Sequence, residues 1–164
     1  MLYFCVDVFV NGRQIVLLPT GAGKSACFQI PALLLGGVTL VIYPLLALMS
    51  DQERRLSAGG VECAVFRGGQ SEDERNDAFE KLKRGAKIII ANPEVLLDFW
   101  LLERLCGFSI SHVAIDEAHC VSEWGDSFRP AYLELGKIIE KTGAPVVTAF
   151  TATASPEVLR RISD

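Results

Sequence analysis

The stretch QIVLLPTGAGKS, Gln14–Ser25, runs a short aliphatic segment into a cluster of small residues and a Lys-Ser pair. QIVLL (Gln14–Leu18) reads as a strand, and the glycines at 21 and 23 mark a sharp turn. The residues after Ser25 open a helix. A strand, a Gly-rich turn and a helix in that order aim the free backbone N–H groups at one point, where they close around phosphate oxygens. Thr20, Gly21, Ala22 and Gly23 form the candidate cradle, Lys24 reaches the terminal phosphates, and the Ser25 hydroxyl can ligate Mg²⁺. The pattern usually opens on Gly, and here Leu18 holds that place. Read alone, the same residues make a helix N-terminus that needs glycines.

Outward from this stretch, similar apolar runs recur at Val38–Tyr43, Cys63–Phe66, Lys87–Ala91, Ser111–Asp116 and Pro145–Phe150. They are nearly continuous in hydrophobicity, which is how strands covered on both faces look. Helical patterns lie between them. Ser71 with Glu74 makes a capping box ahead of a helix to about Arg84, and Ser155-Pro156 reads as an N-cap followed by proline in the first turn. The alternation predicts an α/β fold, a mostly parallel doubly wound sheet with helices on both faces. Ligands of such sheets bind beyond the carboxyl ends of the strands, so the motifs should fall just after strands.

The 164 residues suffice for one domain with a sizeable core, and a content of 50% apolar and 22% charged residues is ordinary for a globular chain. A formal charge of -4 gives no global attraction to nucleic acid, so any such binding must be local. The longest apolar run, Val38–Met49, is broken by Pro44 and falls short of a membrane span. The opening MLYFCVDVFV lacks a basic flank and a cleavage site, and Asp7 interrupts it. Five scattered cysteines without a CxxC pair argue against zinc and fit a reducing compartment, so the expected location is cytoplasmic.

DEAH, Asp116–His119, closes the run HVAI at a strand end. Two acids there are commonly a solvated turn. Beside Lys24 and Ser25 they complete a different set: Asp116 to hold Mg²⁺ through water and Glu117 to orient or deprotonate an attacking water. TAFTATAS, Thr148–Ser155, read alone is a β-strand edge running into an N-cap; next to a nucleotide site, the hydroxyls of Thr151 and Thr153 can relay nucleotide state to another surface. CVSEWGDSFRPAY, Cys120–Tyr132, sets Trp124, Phe128 and Arg129 among turn residues. The spacing of the two aromatics also suits a core-facing helix; in a loop they suit base stacking, and Arg129 suits a phosphate.

The order LPTGAGKSACFQIPALLL, YPLLALMSDQ, ANPEVL, DEAHCVSEWGDSFRPAY and TATA resembles the first motor domain of RecQ-type DNA helicases, within superfamily 2, from about Gly12 to Ile162. The resemblance implies a RecA-like P-loop NTPase domain over 1–164 that uses ATP and Mg²⁺. It implies coupling of hydrolysis to 3′ to 5′ movement on single-stranded DNA and to duplex unwinding in repair or recombination. It implies that His119 joins the catalytic set, and that Trp124, Phe128 and Arg129 sense DNA. Against the family pattern, no Gln precedes Gln14, Asp126-Ser127 stands where His-Asp is usual, and Val95 replaces a basic residue. The upstream glutamine motif, the second motor domain and its arginines are expected to be lacking. Two other readings stand beside this one: an RNA helicase of DEAD/DEAH type, and a non-hydrolysing binding module.

Overall fold

The structure, a computed structural model, describes residues 12–19, 21–120, 130–153, 155–156 and 160. Its strands are β1 (Arg13–Leu17), β2 (Val38–Ile42), β3 (Cys63–Phe66), β4 (Ile88–Ala91), β5 (Ile110–Ile115) and β6 (Val146–Thr151). Between them lie α1 (Lys24–Leu34), α2 (Leu46–Ala58), α3 (Glu72–Lys83), α4 (Pro93–Leu96), α5 (Phe99–Cys106) and α6 (Leu135–Thr142), with a 3₁₀ turn at Pro130–Tyr132. The strands form one sheet in the order β1-β6-β5-β2-β4-β3, and every pairing is parallel.

Successive residues of a strand point to opposite faces, and here each face meets its own helices. Leu40, Ile42, Ile89, Val113 and Ile115 pack with Phe79 of α3, Leu102 of α5 and Ile138 of α6. Val41, Ile88, Ile90, Ala114 and Phe150 pack with Phe28 of α1 and with Met49 and Leu56 of α2. The unbroken hydrophobicity of the strand runs follows from this double cover. All six expected strands are present, with ends displaced by about a residue, so that Asp116 stands just beyond β5. The Ser71 capping box forms: Ser71 Oγ accepts from the Glu74 N–H at 3.2 Å, and Glu74 Oε2 accepts from the Ser71 N–H at 2.7 Å. The helix foreseen after Ser155-Pro156 falls largely outside the described residues.

β6 lies inside the sheet between β1 and β5. Thr148 is therefore fully buried, accepting from Gln14 Nε2 at 3.0 Å and pairing with His112 Nε2 at 3.0 Å. Thr39, in register with His112 on β2, is buried as well, and neither its Oγ1 nor His112 Nδ1 has a protein partner. Burial pushes the His112 imidazole down from the ordinary 6.5 to about 4.

Between β2 and β5 the register shifts at Val38/Thr39. There the Val38 N–H donates to the Ser109 carbonyl and Ser111 Oγ donates to the Val38 carbonyl, each at 3.2 Å. The two chains approach so closely that a methyl group on Gly37 would collide with the Ser109 carbonyl oxygen. Gly37→Ala is expected to cost about 1–3 kcal/mol, read as a lowered urea midpoint at unchanged slope. An unchanged midpoint would contradict this close approach.

His112 gives a second expectation. The unfolded chain binds a proton at this residue below about 6.5, whereas the folded state refuses it until about 4. Stability should therefore fall as pH drops through that window, by up to about 3 kcal/mol from this group. Urea titrations across the window should show this loss in the parent chain and a flatter profile in His112→Asn; equal slopes would count against a buried neutral His112.

Candidate functional site

The turn after β1 leaves the sheet beside the end of β6, where the Leu18 N–H donates to the Thr151 carbonyl at 3.0 Å. The Ala22 N–H closes the turn on the Pro19 carbonyl at 3.1 Å. Gly21 and Gly23 have φ of 83° and 85°, in the left-handed region that costs a Cβ-bearing residue energy. At Gly21 nothing lies within reach of an added Cβ, so backbone conformation, rather than crowding, calls for glycine.

Side chains cap two of the helices: Ser71 caps α3, and the Asp98 carboxylate accepts from the Trp100 and Leu101 N–H groups at α5. The start of α1, like those of α2, α4 and α6, has no such cap. Gly23 caps it without a side-chain hydrogen bond, and no acid stands in its first turn. The N–H groups at the positive end of this helix, beside Gly21, Ala22 and Gly23, are thus left without a side-chain cap. Thr20, the fourth candidate of the cradle, lies outside the described residues.

Across from this turn stands the acid pair. The Asp116 N–H extends the β2 ladder by donating to the Ile42 carbonyl at 3.0 Å, and the Ala118 N–H extends the β6 ladder to the Phe150 carbonyl at 2.8 Å. Between them Glu117 takes a φ of 48°, and its N–H donates to Asp116 Oδ1 at 2.9 Å. The DEAH turn is thereby suspended from two neighbouring strands. Lys24 Nζ lies 2.7 Å from Glu117 Oε1 and 3.5 Å from Asp116 Oδ1. Lys24 and Asp116 are buried, at 9% and 7% exposure. Burial pushes the Asp116 carboxyl up from its ordinary range, a shift that the Lys24 ammonium opposes. Tyr43, also buried, has its hydroxyl pushed far up by burial and further by the charge of Asp116.

Two carboxylates share one ammonium, which leaves a net negative charge where charge is costly. A divalent cation would offset it. The donors on hand, the Asp116 carboxylate and the Ser25 hydroxyl, are hard oxygens that suit Mg²⁺. Among the described residues no group of three or more His, Cys, Asp or Glu side chains could cage a metal by itself. An ion here would need phosphate oxygens and water to complete its shell.

The structure joins the remaining candidates in one network. His119 Nδ1 lies 3.2 Å from Thr151 Oγ1 and 3.4 Å from Glu117 Oε2. Thr151 Oγ1 donates to the Thr153 carbonyl at 2.7 Å and accepts from the Thr153 N–H at 3.3 Å. A hydroxyl has one proton, and that proton is committed to Thr153. Trp124, Phe128 and Arg129 lie outside the described residues.

Sequence reasoning passed over Gln52. On α2 it is buried, donating from Nε2 to Ser25 Oγ at 3.3 Å and accepting at Oε1 from Gln29 Nε2 at 3.2 Å. A signal for it existed: Met49, Gln52 and Leu56 are spaced along one helix face, and an amide within that apolar stripe asks for a partner.

A DEAD/DEAH box helicase family model matches residues 5–162. The chain is 42% identical over 159 residues to "Probable ATP-dependent DNA helicase RecS" of Bacillus subtilis (strain 168), covering 96% of this chain and 32% of that protein. It is 44% identical over 144 residues to "ATP-dependent DNA helicase RecQ" of the same organism, covering 87% of this chain and 24% of that protein. Among solved structures it resembles a "hypothetical ATP-dependent RNA helicase from Sulfolobus tokodaii", with a TM-score of 0.71 and 26% identity over 98% of this chain and 47% of that one. The chain thus spans a third or less of the length of these two curated relatives.

Removing Lys24 should expose the strain of the acid pair. With Lys24→Met, the Asp116 carboxyl is expected to rise further, so the folded state binds more protons than the unfolded one and loses stability as pH rises through that range. A cost of about 1–3 kcal/mol at neutral pH, shrinking toward pH 4–5, is expected from urea titrations at both pH values. A cost independent of pH would show that Lys24 does not compensate these acids.

Proposed function

Because the chain belongs to the DEAD/DEAH box helicase family, we propose that the strand-end site binds ATP with Mg²⁺ and hydrolyses it to drive work on DNA. The observation that carries this reading is the Lys24 ammonium of an uncapped, glycine-built helix start, held against Asp116 and Glu117. Phosphate oxygens entering the turn compete for Lys24 and draw it from Glu117. Freed of its cation, the Glu117 carboxylate becomes a proton acceptor able to orient or deprotonate water. Asp116 and Ser25 are the residues that would hold Mg²⁺, which would supply positive charge against the phosphates. His119, through Nδ1, ties the position of Glu117 to Thr151 and Thr153 at the end of β6.

The nucleic acid in this proposal is single-stranded DNA, with 3′ to 5′ movement and unwinding at duplex junctions, in repair or recombination. Its support is the 42% and 44% identity to relatives named as DNA helicases, against 26% to the structure named as an RNA helicase. Trp124, Phe128 and Arg129 are proposed to meet the strand, on the strength of their residue types and of their place just after His119. A second motor domain, for which the longer relatives have room, is proposed to supply arginines that complete hydrolysis.

Two measurements test the reading. Titrating MgATP into the protein by calorimetry should give binding that Lys24→Ala weakens at least tenfold, and binding indifferent to that change would overturn the site. In a protein carrying both motor domains, single-stranded DNA should stimulate ATP turnover more than RNA does, and Glu117→Gln should lower turnover by about 10²-fold or more. Equal stimulation by RNA would transfer the reading to RNA, and full turnover in Glu117→Gln would remove Glu117 from the chemistry.

A further inference from the structure

The hydrogen-bond chain Gln29–Gln52–Ser25 has a direction: Gln29 Nε2 donates to Gln52 Oε1, and Gln52 Nε2 donates to Ser25 Oγ. A serine hydroxyl offers one proton and two lone pairs. In this direction Gln52 occupies one of the lone pairs of Ser25. A hydroxyl that ligates a cation needs its lone pairs facing the ion and its proton sent elsewhere. An acceptor within reach is Gln52 itself, once its amide turns over. Turning the Gln29 and Gln52 amides together gives a chain of the same length with reversed polarity: Ser25 O–H to Gln52 Oε1, and Gln52 Nε2 to Gln29 Oε1. Both directions contain two hydrogen bonds, so neither is favoured by the count alone.

We infer that Gln52 is a positioning residue for Ser25, and that it switches between donor and acceptor as Mg²⁺-nucleotide comes and goes. The inference rests on the proposed nucleotide reading and deepens it. Gln52 is suited to the task because it is buried, in the helix stripe between Met49 and Leu56, where water is a poor substitute for its amide. Since Gln52 belongs to α2 and Ser25 to α1, the turnover of one amide reports the presence of the metal to a second helix.

The probe is ADP, titrated by calorimetry once with Mg²⁺ and once with EDTA. The ratio of the two affinities is the metal factor. Gln52→Met, of similar length but unable to hydrogen-bond in this way, should reduce the factor roughly fivefold while affecting the EDTA affinity far less. Gln52→Glu, whose carboxylate accepts the Ser25 proton, should restore it. Ser25→Ala should lose the factor, and adding Gln52→Met to Ser25→Ala should change nothing more.

Melting temperatures identify variants that fold, and Gln52→Leu replaces Gln52→Met if the latter does not. A factor unchanged by Gln52→Met, or reduced as much in the Ser25→Ala background as in the parent, would overturn the role of Gln52 alone. A parent chain with no metal factor, whose ADP binding is also indifferent to Lys24→Ala, would remove the nucleotide reading beneath it.

Discussion

The Lys24 ammonium stands between Glu117 at 2.7 Å and Asp116 at 3.5 Å, and much of the local architecture follows from that contact. For Lys24 to arrive there, the chain must reverse within a few residues of β1, hence two glycines in the left-handed region on either side of Ala22. For the acids to receive it, β5 must end between β2 and β6 with Glu117 itself forced to a positive φ. A non-glycine residue in that conformation costs energy. The cost is offset by ladder bonds on both sides and by the Asp116 bond to its N–H. The arrangement is electrostatically incomplete, with two anions to one cation, so the ion pairs are a weak contribution to stability.

The parallel sheet makes this convergence possible. All six strands run the same way, so the carboxyl ends of β1, β5 and β6 lie together and deliver the glycine turn, the acid pair and the threonines to one rim. Thr151 shows how tightly these parts are joined. Its carbonyl accepts from Leu18 at the root of the glycine turn, and its hydroxyl meets His119 from the acid turn. A displacement of the DEAH turn therefore acts on the end of β6, and through it on the turn that carries Lys24. Helices on both faces hold the strands themselves, so adjustment is concentrated in the turns beyond their ends.

How much of this could be read in the sequence depends on the range over which each interaction is encoded. The inner strands were legible because both faces are buried, which writes an unbroken apolar run into each segment, whereas β1, at the sheet edge and exposed at Arg13 and Leu17, was legible from the aliphatic run leading into the glycine turn. The Ser71 cap was legible because its partner Glu74 is three residues away. The meeting of Lys24 with Glu117, 93 residues apart, was legible only through chemistry, since phosphate and metal need lysine, hydroxyl and carboxylate together. Gln52 was missed because an amide amid SDQER looks like a solvated helix face, and its burial becomes visible only when Met49 and Leu56 are placed beside it. The row of Gln14, Thr148 and His112 was missed because it is assembled across strands distant in the chain.

The account depends on Lys24 changing partners, from carboxylate to phosphate. A crystal structure of the protein with ADP and Mg²⁺ observes this directly. The account predicts Lys24 Nζ within hydrogen-bonding distance of a phosphate oxygen and withdrawn beyond 4 Å from Glu117, with Asp116 and Ser25 turned toward the metal. A nucleotide bound elsewhere, or one seated in the turn while Lys24 stays on Glu117, would contradict it.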